Sequence, residues 1–279
     1  MAYQRLLTVQ DISCLGQCSM TVALPILSAC GHETCILPTM MLSTHTGGFV
    51  DVHKQELTDQ FPGILEHWKR SGIVFDGVYT GYLGKAEQID WVRKIFSEMV
   101  VENGRRIVDP AMADGGKLYG GFDDDYVQAM KRLCTDANVI IPNITEACLL
   151  TDTPYRETVD EPFVFELLQK LAKLCPCTVL TGVGFSSEET GVAVYRNGQY
   201  WRYAHHKEPR NFHGTGDIFA SALVGAWHQE KTLEEAVKIA ADFTVSCIRK
   251  TVDCPAHWYG VKFEAALPEL VQKLFVTDL

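Results

Sequence analysis

The sequence has no run of about 18 apolar residues, the length that a membrane-spanning helix needs, and it has no cluster of basic side chains. Its 35 Asp and Glu residues outnumber its 25 Lys and Arg residues, which gives a formal charge of −10 at pH 7. An acidic chain without a basic patch is not typical of a protein that binds the phosphates of nucleic acids. We therefore expect neither a membrane nor a nucleic acid as a partner.

Neither a secretory signal nor a domain linker is visible. The N-terminal apolar stretch turns polar at Gln10-Asp11, which is too early for the apolar core of a signal peptide. No internal repeat, low-complexity tract or Pro/Gly/Ser-rich segment marks a boundary, and a chain of this length can fold as one α/β unit. We predict a cytoplasmic protein with a single domain over residues 1–279.

The ten cysteines do not form a recognisable metal or disulfide framework. Cys14/Cys18 and Cys175/Cys177 each lack the second pair that a structural zinc site needs. Disulfides are rare in proteins that are not exported. We expect cysteines that are mostly reduced and buried, where a thiol packs as a small apolar group.

Short apolar segments rich in β-branched residues alternate with longer segments of helical periodicity. This alternation predicts an α/β fold with a mostly parallel central sheet and helices on both faces. Asn197-Gly198 predicts a hairpin, the only antiparallel interruption that the pattern indicates. The predicted strands are Leu6–Gln10, Thr34–Leu37, Gly77–Thr80, Arg106–Asp109, Val139–Ile141, Thr178–Thr181, Gly191–Tyr195 and Tyr200–Ala204.

Helical spacing of apolar residues marks the segments between and after these strands. In open parallel sheets ligands bind beyond the carboxyl ends of the strands. We therefore expect the loops after the predicted parallel strands to hold the chemistry, beginning with the loop after Gln10. The helical segments include Trp91–Met99, Phe163–Leu174, Gly214–Gln229, Leu233–Lys250 and Phe263–Phe275.

The most informative segment is Gly214-Thr215-Gly216-Asp217, at the start of a helix predicted to be buried. Uncovered N–H groups and the positive end of a helix dipole form a site for anions. One interpretation is phosphoryl transfer, in which the amides hold the transferred group and Asp217 accepts the proton of an alcohol. The alternative is that Asp217 only complements the helix dipole, worth about 0.3–1 kcal/mol. The sequence contains no Walker loop of the form G-x-x-x-x-G-K-[S/T].

This segment resembles the hallmark of the ribokinase-like small-molecule kinases. Further segments narrow the resemblance to the pyridoxal (vitamin B6) kinase branch, and most closely to bacterial pyridoxamine/pyridoxal kinases. The resemblance runs in family order from about Arg5 to about Lys250. The segments that carry it are Val9-Gln10, Ser43-Thr44-His45-Thr46-Gly47, Thr80-Gly81-Tyr82-Leu83-Gly84, Val108-Asp109-Pro110-Ala111-Met112 and Ile141-Pro142-Asn143-Ile144-Thr145-Glu146-Ala147.

The resemblance implies transfer of the ATP γ-phosphate to the 5′-hydroxymethyl group of pyridoxal, pyridoxamine or pyridoxine. Asp217 would be the base, and Gly214, Thr215 and Gly216 would line the anion hole. An aspartate near its usual pKa of about 3.9 is ionised at pH 7 and can accept a proton. Two alternatives remain open: a hydroxymethylpyrimidine kinase of thiamine synthesis, and a non-catalytic regulator that binds a vitamer or a nucleotide.

On the nucleotide side, the resemblance implies that Asn143 and Glu146 lie near the ATP phosphates and Mg²⁺, with Glu146 acting through water. Asp109 would add charge beside the metal, and Thr181-Gly182 would reach the phosphates. Mg²⁺ is bound largely through substrate phosphates and keeps several waters, so the sequence need not contain a cluster of metal ligands. Each residue has an alternative role: a capping box for Asn143 and Glu146, a turn before a proline for Asp109, and an ordinary strand end for Thr181.

On the vitamer side, the resemblance implies an aromatic wall from Tyr82 and hydrogen bonds from Thr46 and His45. The alternatives are a core edge for Tyr82, a turn for Thr46 and a satisfied loop histidine for His45. Asp11 departs from the family, in which a serine follows the Val-Gln pair. A carboxylate there could accept a hydrogen bond from a protonated ring nitrogen or pair with an aminomethyl cation, and we hypothesise that it shifts preference toward pyridoxamine.

The Gly-rich segment 111–121 matches a stretch that covers ATP in the family and excludes competing water. Lys117 could meet a phosphate there, and the alternative is a flexible surface loop. The resemblance also implies a homodimer, and it allows a monovalent cation such as K⁺ near the anion hole.

Overall fold

A computed structural model describes residues 3–275. The strands are β1 (Arg5–Ser13), β2 (Glu33–Leu42), β3 (Lys54–Glu56), β4 (Phe75–Thr80), β5 (Val100–Val108), β6 (Ala113–Asp114), β7 (Lys117–Leu118), β8 (Val139–Ile140), β9 (Cys177–Thr181), β10 (Glu189–Arg196) and β11 (Gln199–His206). The α-helices are α1 (Met20–Ala29), α2 (Phe61–Arg70), α3 (Ala86–Glu98), α4 (Asp124–Thr135), α5 (Ile144–Leu150), α6 (Glu161–Leu171), α7 (Thr215–His228), α8 (Leu233–Arg249) and α9 (Leu267–Phe275). Short 3-10 helices cover Thr58–Gln60 and Phe263–Ala265. Among these residues, none of the helices has the length and apolar character that a membrane crossing requires.

The chain forms two compact units. The first unit contains the residues up to Asp59 and those from Glu208 onward, and the second contains Gln60–Lys207. No change in composition marks either junction, so this division could not be predicted from the sequence. The single domain over residues 1–279 stays a prediction.

In the first unit, β1 runs parallel to β2, from the pair Arg5↔Glu33 to the pair Ser13↔Leu42. The prediction that this strand ends at Gln10 is wrong. The register shifts between Gln10 and Ile12, and pairing then resumes. Asp11 therefore lies in the strand, opposite an extra residue of β2, and not in a loop. The ladder continues through residues that lack apolar alternation.

The predicted hairpin is not the only antiparallel part of the described chain. Strand β3 pairs antiparallel with β2, and β6 pairs antiparallel with β7. These strands are two or three residues long and have polar sequences such as Lys54-Gln55-Glu56. Such short edge segments carry no period-2 apolar pattern, so the sequence could not predict them.

Helix α7 in the first unit begins at Thr215, as predicted, and is buried continuously from Ile218 to Ala226. Its apolar residues lie on all sides, which is typical of a helix enclosed by the core. A Cβ at Gly225 would collide with the Cys30 Sγ atom at the end of α1. Glycine at this position therefore lets α1 and α7 pack closely.

In the second unit the strands lie in the order β11-β10-β9-β8-β5-β4. The pairs from β4 to β9 are parallel, and β10 pairs antiparallel with both β9 and β11. The predicted Asn-Gly turn is confirmed, because Asn197 and Gly198 both have positive φ, 52° and 79°. Helices α3 and α6 confirm the two helical patterns predicted in this part of the chain.

We predict opposite stability effects from two Gly→Ala substitutions in helices. Gly225→Ala should lower the free energy of unfolding by about 1–3 kcal/mol, because the new methyl group overpacks the contact with Cys30. Gly63→Ala in α2 should raise it by about 0.5–1 kcal/mol, because nothing lies within 4 Å of the new Cβ. Urea denaturation measures both values. A stabilising Gly225→Ala would contradict the packing described for α7.

Candidate active site

The start of α7 leaves backbone N–H groups uncovered in the first unit. Gly214 precedes the helix with φ 79°, and a Cβ there would collide with the Gln17 carbonyl oxygen. The helical hydrogen bonds begin with the Ile218 N–H, which donates to the Gly214 carbonyl at 3.0 Å. Gly216 is exposed, and no atom lies within 4 Å of the position that a Cβ would occupy. The N–H groups of the first turn therefore adjoin open space that an anion could occupy.

Asp217 lies in that first turn, and its carboxylate has a fixed orientation. The Ser19 N–H donates to its Oδ2 atom at 2.9 Å. The pKa of Asp217 is raised to about 7: desolvation is the largest cause, the bond from Ser19 opposes the rise, and the negative charge of Asp11 adds to it. The sequence-based expectation of an aspartate near its ordinary pKa therefore needs correction, because burial disfavours the charged form of this carboxyl.

Asp11 is buried beside the same serine. Its side chain is 4% exposed, and the Ser13 hydroxyl donates to its Oδ2 atom at 3.1 Å. Burial raises the pKa of Asp11, and hydrogen bonds from the side chains of Ser19 and Ser13 oppose that rise. Burial and the charges of Asp217 and Asp11 also raise the pKa of the Cys18 thiol. Cys18 therefore stays protonated and is not a thiolate nucleophile.

His45 is a satisfied loop histidine, the alternative that the sequence left open. It is 5% exposed, its Nε2 atom lies 2.7 Å from the Tyr259 carbonyl oxygen, and its Nδ1 atom accepts the Gly47 N–H at 3.1 Å. Burial lowers its pKa, which favours the neutral ring. Both nitrogens are occupied, so the predicted hydrogen bond from His45 to a ligand needs correction. Thr46 beside it is exposed.

Asn143 and Glu146 in the second unit form the capping box that their spacing allows. The Asn143 side chain accepts the Glu146 N–H at 2.9 Å, and the Glu146 Oε2 atom accepts the Asn143 N–H at 2.9 Å. The Oε1 atom accepts the Met112 N–H at 3.0 Å. Glu146 is 2% exposed, and burial raises its pKa to about 7 against these bonds. Backbone donors therefore occupy both oxygens of the residue predicted near Mg²⁺.

The same capping box holds the hairpin of β6 and β7. Asn143 donates its side-chain N–H to the Ala113 carbonyl at 2.8 Å, and the Gly116 N–H donates to the Thr145 hydroxyl at 3.0 Å. Lys117 is exposed on this hairpin. Segment 111–121 is therefore not a featureless surface loop, because part of it pairs as a hairpin anchored to the start of α5.

The two other predicted nucleotide residues lie at strand ends. The Thr181 N–H donates to the Pro142 carbonyl at 2.9 Å, and Thr181 forms a parallel bridge with Asn143. Asp109 follows β5 directly, and its Oδ1 atom accepts the Ala111 N–H at 3.1 Å, which is the turn alternative. Within residues 3–275, no group of three or more His, Cys, Asp or Glu side chains is arranged to hold a metal.

Tyr82 belongs to an aromatic stack that the sequence did not indicate. Its ring lies 5.4 Å from that of Phe122, which stacks on Tyr126 at 3.8 Å. Phe122 and Ser19 are the residues that sequence reasoning missed. Phe122 lies 40 positions from Tyr82, and Ser19 acts partly through its main chain, so no local motif reveals either of them.

A family model described as phosphomethylpyrimidine kinase matches residues 27–261. The chain belongs to this family. Membership identifies the protein as a kinase, which confirms the enzyme class predicted from the Gly214–Asp217 segment.

Solved structures and sequence relatives agree with this assignment. A Bacteroides thetaiotaomicron protein named as a phosphomethylpyrimidine kinase, solved with pyridoxal, is 33% identical, with a TM-score of 0.91 over 96% of both chains. Pyridoxal kinase from Lactobacillus plantarum is 29% identical, with a TM-score of 0.90 over 97% of both chains. Pyridoxal kinase from Arabidopsis thaliana is 24% identical over 266 residues, which are 89% of this chain and 82% of that protein. These agreements confirm the predicted ribokinase-like α/β fold.

We predict that Glu146→Gln lowers the free energy of unfolding by about 1–3 kcal/mol. The glutamine amide replaces an acceptor by a donor, so one of the buried backbone N–H groups loses its partner. The matched control is Glu235→Gln in the exposed capping box of α8, where we expect a change within about 0.5 kcal/mol. Urea unfolding near neutral pH measures both variants. Equal losses in the two capping boxes would contradict the buried role of Glu146.

Proposed function

We propose that this kinase transfers the γ-phosphoryl group of ATP to the 5′-hydroxymethyl group of a B6 vitamer. The observation that carries the proposal is Asp217 in the first turn of α7, with its carboxylate held by Ser19 beside the uncovered amides of the helix. Phosphoryl transfer requires this pairing of a proton acceptor with donors for the developing charge. Relatives named pyridoxal kinase, and the Bacteroides relative solved with pyridoxal, support the vitamer.

Asp217 acts as the base in this proposal. The alcohol O–H bond breaks, the proton goes to Asp217, and the alcohol oxygen bonds to the γ-phosphorus. The bond from that phosphorus to the bridging oxygen breaks, and its electron pair stays on ADP. Because little proton transfer need precede bond making, the fixed orientation of Asp217 matters as much as its basicity. A pKa of about 7 also makes it a stronger base than an ordinary aspartate.

The first-turn amides supply the electrostatic part. The N–H groups of Thr215 and Gly216 precede the helical hydrogen bonds and align with the positive end of the dipole of α7. Gly214 permits the left-handed turn into the helix. These donors would stabilise the negative charge that spreads over the oxygens of the migrating phosphoryl group. A monovalent cation such as K⁺ near them stays a prediction.

On the nucleotide side, we assign Asp109, Thr181 and Gly182 to the surroundings of the phosphates. Asn143 and Glu146 act indirectly in this proposal, because their hydrogen bonds shape the β6–β7 hairpin. Mg²⁺, bound mainly through the ATP phosphates, would neutralise phosphate charge. The carboxylate of Asp109 suits it as an oxygen donor, whereas backbone donors occupy Glu146.

On the vitamer side, Tyr82 and the neighbouring Phe122 offer an aromatic surface that suits a pyridine ring. The exposed Thr46 hydroxyl is available as a hydrogen-bonding group. His45 supports the loop that carries Thr46, through its bond with the Gly47 N–H. The homodimer and the cytoplasmic location stay predictions.

A second candidate is a hydroxymethylpyrimidine kinase. The description of the matching family, phosphomethylpyrimidine kinase, favours it. Both reactions phosphorylate a hydroxymethyl group on a heteroaromatic ring, so the α7 site serves either substrate.

A substrate panel separates the two candidates. We expect ATP-dependent phosphorylation of pyridoxal, pyridoxamine or pyridoxine, with kcat/KM higher for at least one of them than for hydroxymethylpyrimidine. Product formation is measured by coupled ADP release and by mass of the phosphorylated product. Preference for hydroxymethylpyrimidine would favour the second candidate. No product with any of the four alcohols would contradict both and favour a binding protein.

The proposal also predicts a pH profile. The protonated form of Asp217 cannot accept a proton, so kcat/KM should fall as pH drops through about 7. Asp217→Asn should lower kcat by about 10²- to 10⁴-fold and remove this acid limb. Asp242→Asn, which removes a surface carboxylate paired with Lys273, is the control and should leave the profile unchanged. Full turnover by Asp217→Asn would rule out the assigned base.

A further inference from the structure

Two backbone distortions in the first unit meet at the carboxylates of Asp11 and Asp217. The register between β1 and β2 shifts at Asp11, because two residues of β2, Thr39 and Met40, lie opposite this one residue of β1. Ser19 has φ 53°, in the left-handed region that residues other than glycine rarely adopt. Bulges commonly redirect a side chain next to a functional site. Backbone strain likewise persists where the surroundings enforce it, often at such sites.

The distortions bring one serine into contact with both acids. Ile12 and Ser19 form an isolated antiparallel bridge, which fixes Ser19 against β1 next to Asp11. In that position its N–H donates to the Asp217 Oδ2 atom at 2.9 Å, and its side chain is close enough to Asp11 to oppose the rise in the pKa of that carboxyl. Ser13 donates a second hydroxyl bond to Asp11 at 3.1 Å. Ser19 therefore links Asp11 and Asp217, and we call these two acids the carboxylate pair.

We propose that Asp11 is a positioning residue in this pair. Asp11 holds Asp217 in place through Ser19, and its negative charge stabilises the protonated Asp217 that forms when the alcohol loses its proton. This inference rests on the proposed function of Asp217 as the base. It differs from the hypothesis that Asp11 selects pyridoxamine, because its effect applies equally to every alcohol that the enzyme accepts.

The electrostatic surroundings favour such a pair. From β1 the titratable group that faces Asp217 is Asp11, and from the segment before α1 it is the Cys18 thiol, which stays neutral. Among the described residues, desolvation and the charge of Asp11 raise the pKa of Asp217, and the Ser19 N–H lowers it. None of these contributions comes from a cation. Two carboxylates in a poorly hydrated site resist double ionisation, so the pair retains a proton to higher pH than either acid alone.

The surroundings of Asp11 and Asp217 differ, which suits the two carboxylates to different roles. Asp11 receives neutral hydroxyl donors from Ser13 and Ser19 and lies within a strand, which fits a fixed charge. Asp217 is half-buried in the first turn of α7, beside the amides proposed for the phosphoryl group. The acid limb of the reaction should therefore belong to Asp217, and Asp11 should determine where it falls.

The test compares Asp11→Asn with wild type in two measurements. The first is the acid limb of kcat/KM with pyridoxine, which has no amine to pair with Asp11, from about pH 5 to about pH 9. The second is the titration of the Asp217 carboxyl carbon by ¹³C NMR, which requires no turnover. Asparagine keeps the size and the acceptor oxygen and removes the charge. Asp11→Ser removes the charge with a smaller side chain, and Asp242→Asn is the matched control.

We expect Asp11→Asn and Asp11→Ser to move both midpoints to lower pH by about one unit, since a nearby like charge raises a carboxyl pKa by that order. The rate above the limb should fall severalfold, because Asp217 becomes a weaker base. Asp242→Asn should move neither midpoint. A correctly folded Asp11→Asn protein with an unchanged Asp217 titration would overturn the proposal.

Two further outcomes distinguish a failure of the positioning role of Asp11 from a failure of the proposed function. A changed ranking of the vitamers with an unmoved acid limb would assign Asp11 to direct substrate contact and reject the positioning role. If wild type phosphorylates no alcohol, the proposed function fails. The NMR titration then still decides the pair, because a shifted Asp217 midpoint in Asp11→Asn supports the coupling without any turnover.

Discussion

The hydrogen bond from the Ser19 N–H to the Asp217 carboxylate is the interaction on which the functional reading of this protein depends. It joins residues that are 198 positions apart in the sequence, at the place where α7 begins. A carboxylate without that donor would be free to rotate into solvent, where it would be an ordinary weak base. Held by Ser19 and partly desolvated, it has a fixed direction and a pKa close to neutrality. Glycine at 214 makes the arrangement possible, because a side chain there would collide with the Gln17 carbonyl.

In the second unit, backbone N–H groups also hold a buried carboxylate, and there its role is structural. Glu146 is buried, and its oxygens accept backbone N–H groups from its own N-cap, from Met112 and from Ala113 at the start of the hairpin. A carboxylate is the acceptor best suited to several converging N–H donors, since it has two oxygens and no hydrogen to place. The Asp217 carboxylate near α7 accepts one backbone N–H, from Ser19. The larger number of donors suits Glu146 to fastening a loop, and the smaller number suits Asp217 to the proton transfer that we propose.

Local chemistry made much of the fold predictable. The strand–helix alternation, the Asn197-Gly198 turn and the start of α7 depend on periodicity, positive φ and helix termini, which a short window of sequence records. The antiparallel strands β3, β6 and β7 were missed because polar segments of two or three residues have no period to detect. The end of β1 was misjudged because Asp11 and Ser13 are polar, although their main chain still pairs with β2. Backbone hydrogen bonding does not require apolar side chains.

The sequence by itself determined the family and the kinase class, because short motifs in order along the chain carry them. It also led to the proposal for Asp217 and its glycines, which are contiguous residues. Tertiary structure alone decided what surrounds each side chain: that His45 has both nitrogens occupied, that backbone donors occupy both oxygens of Glu146, and that the Ser19 N–H donates to Asp217. Desolvation and distant hydrogen bonds set these states. A linear chain carries no record of either until folding removes the water and brings remote donors within 3 Å.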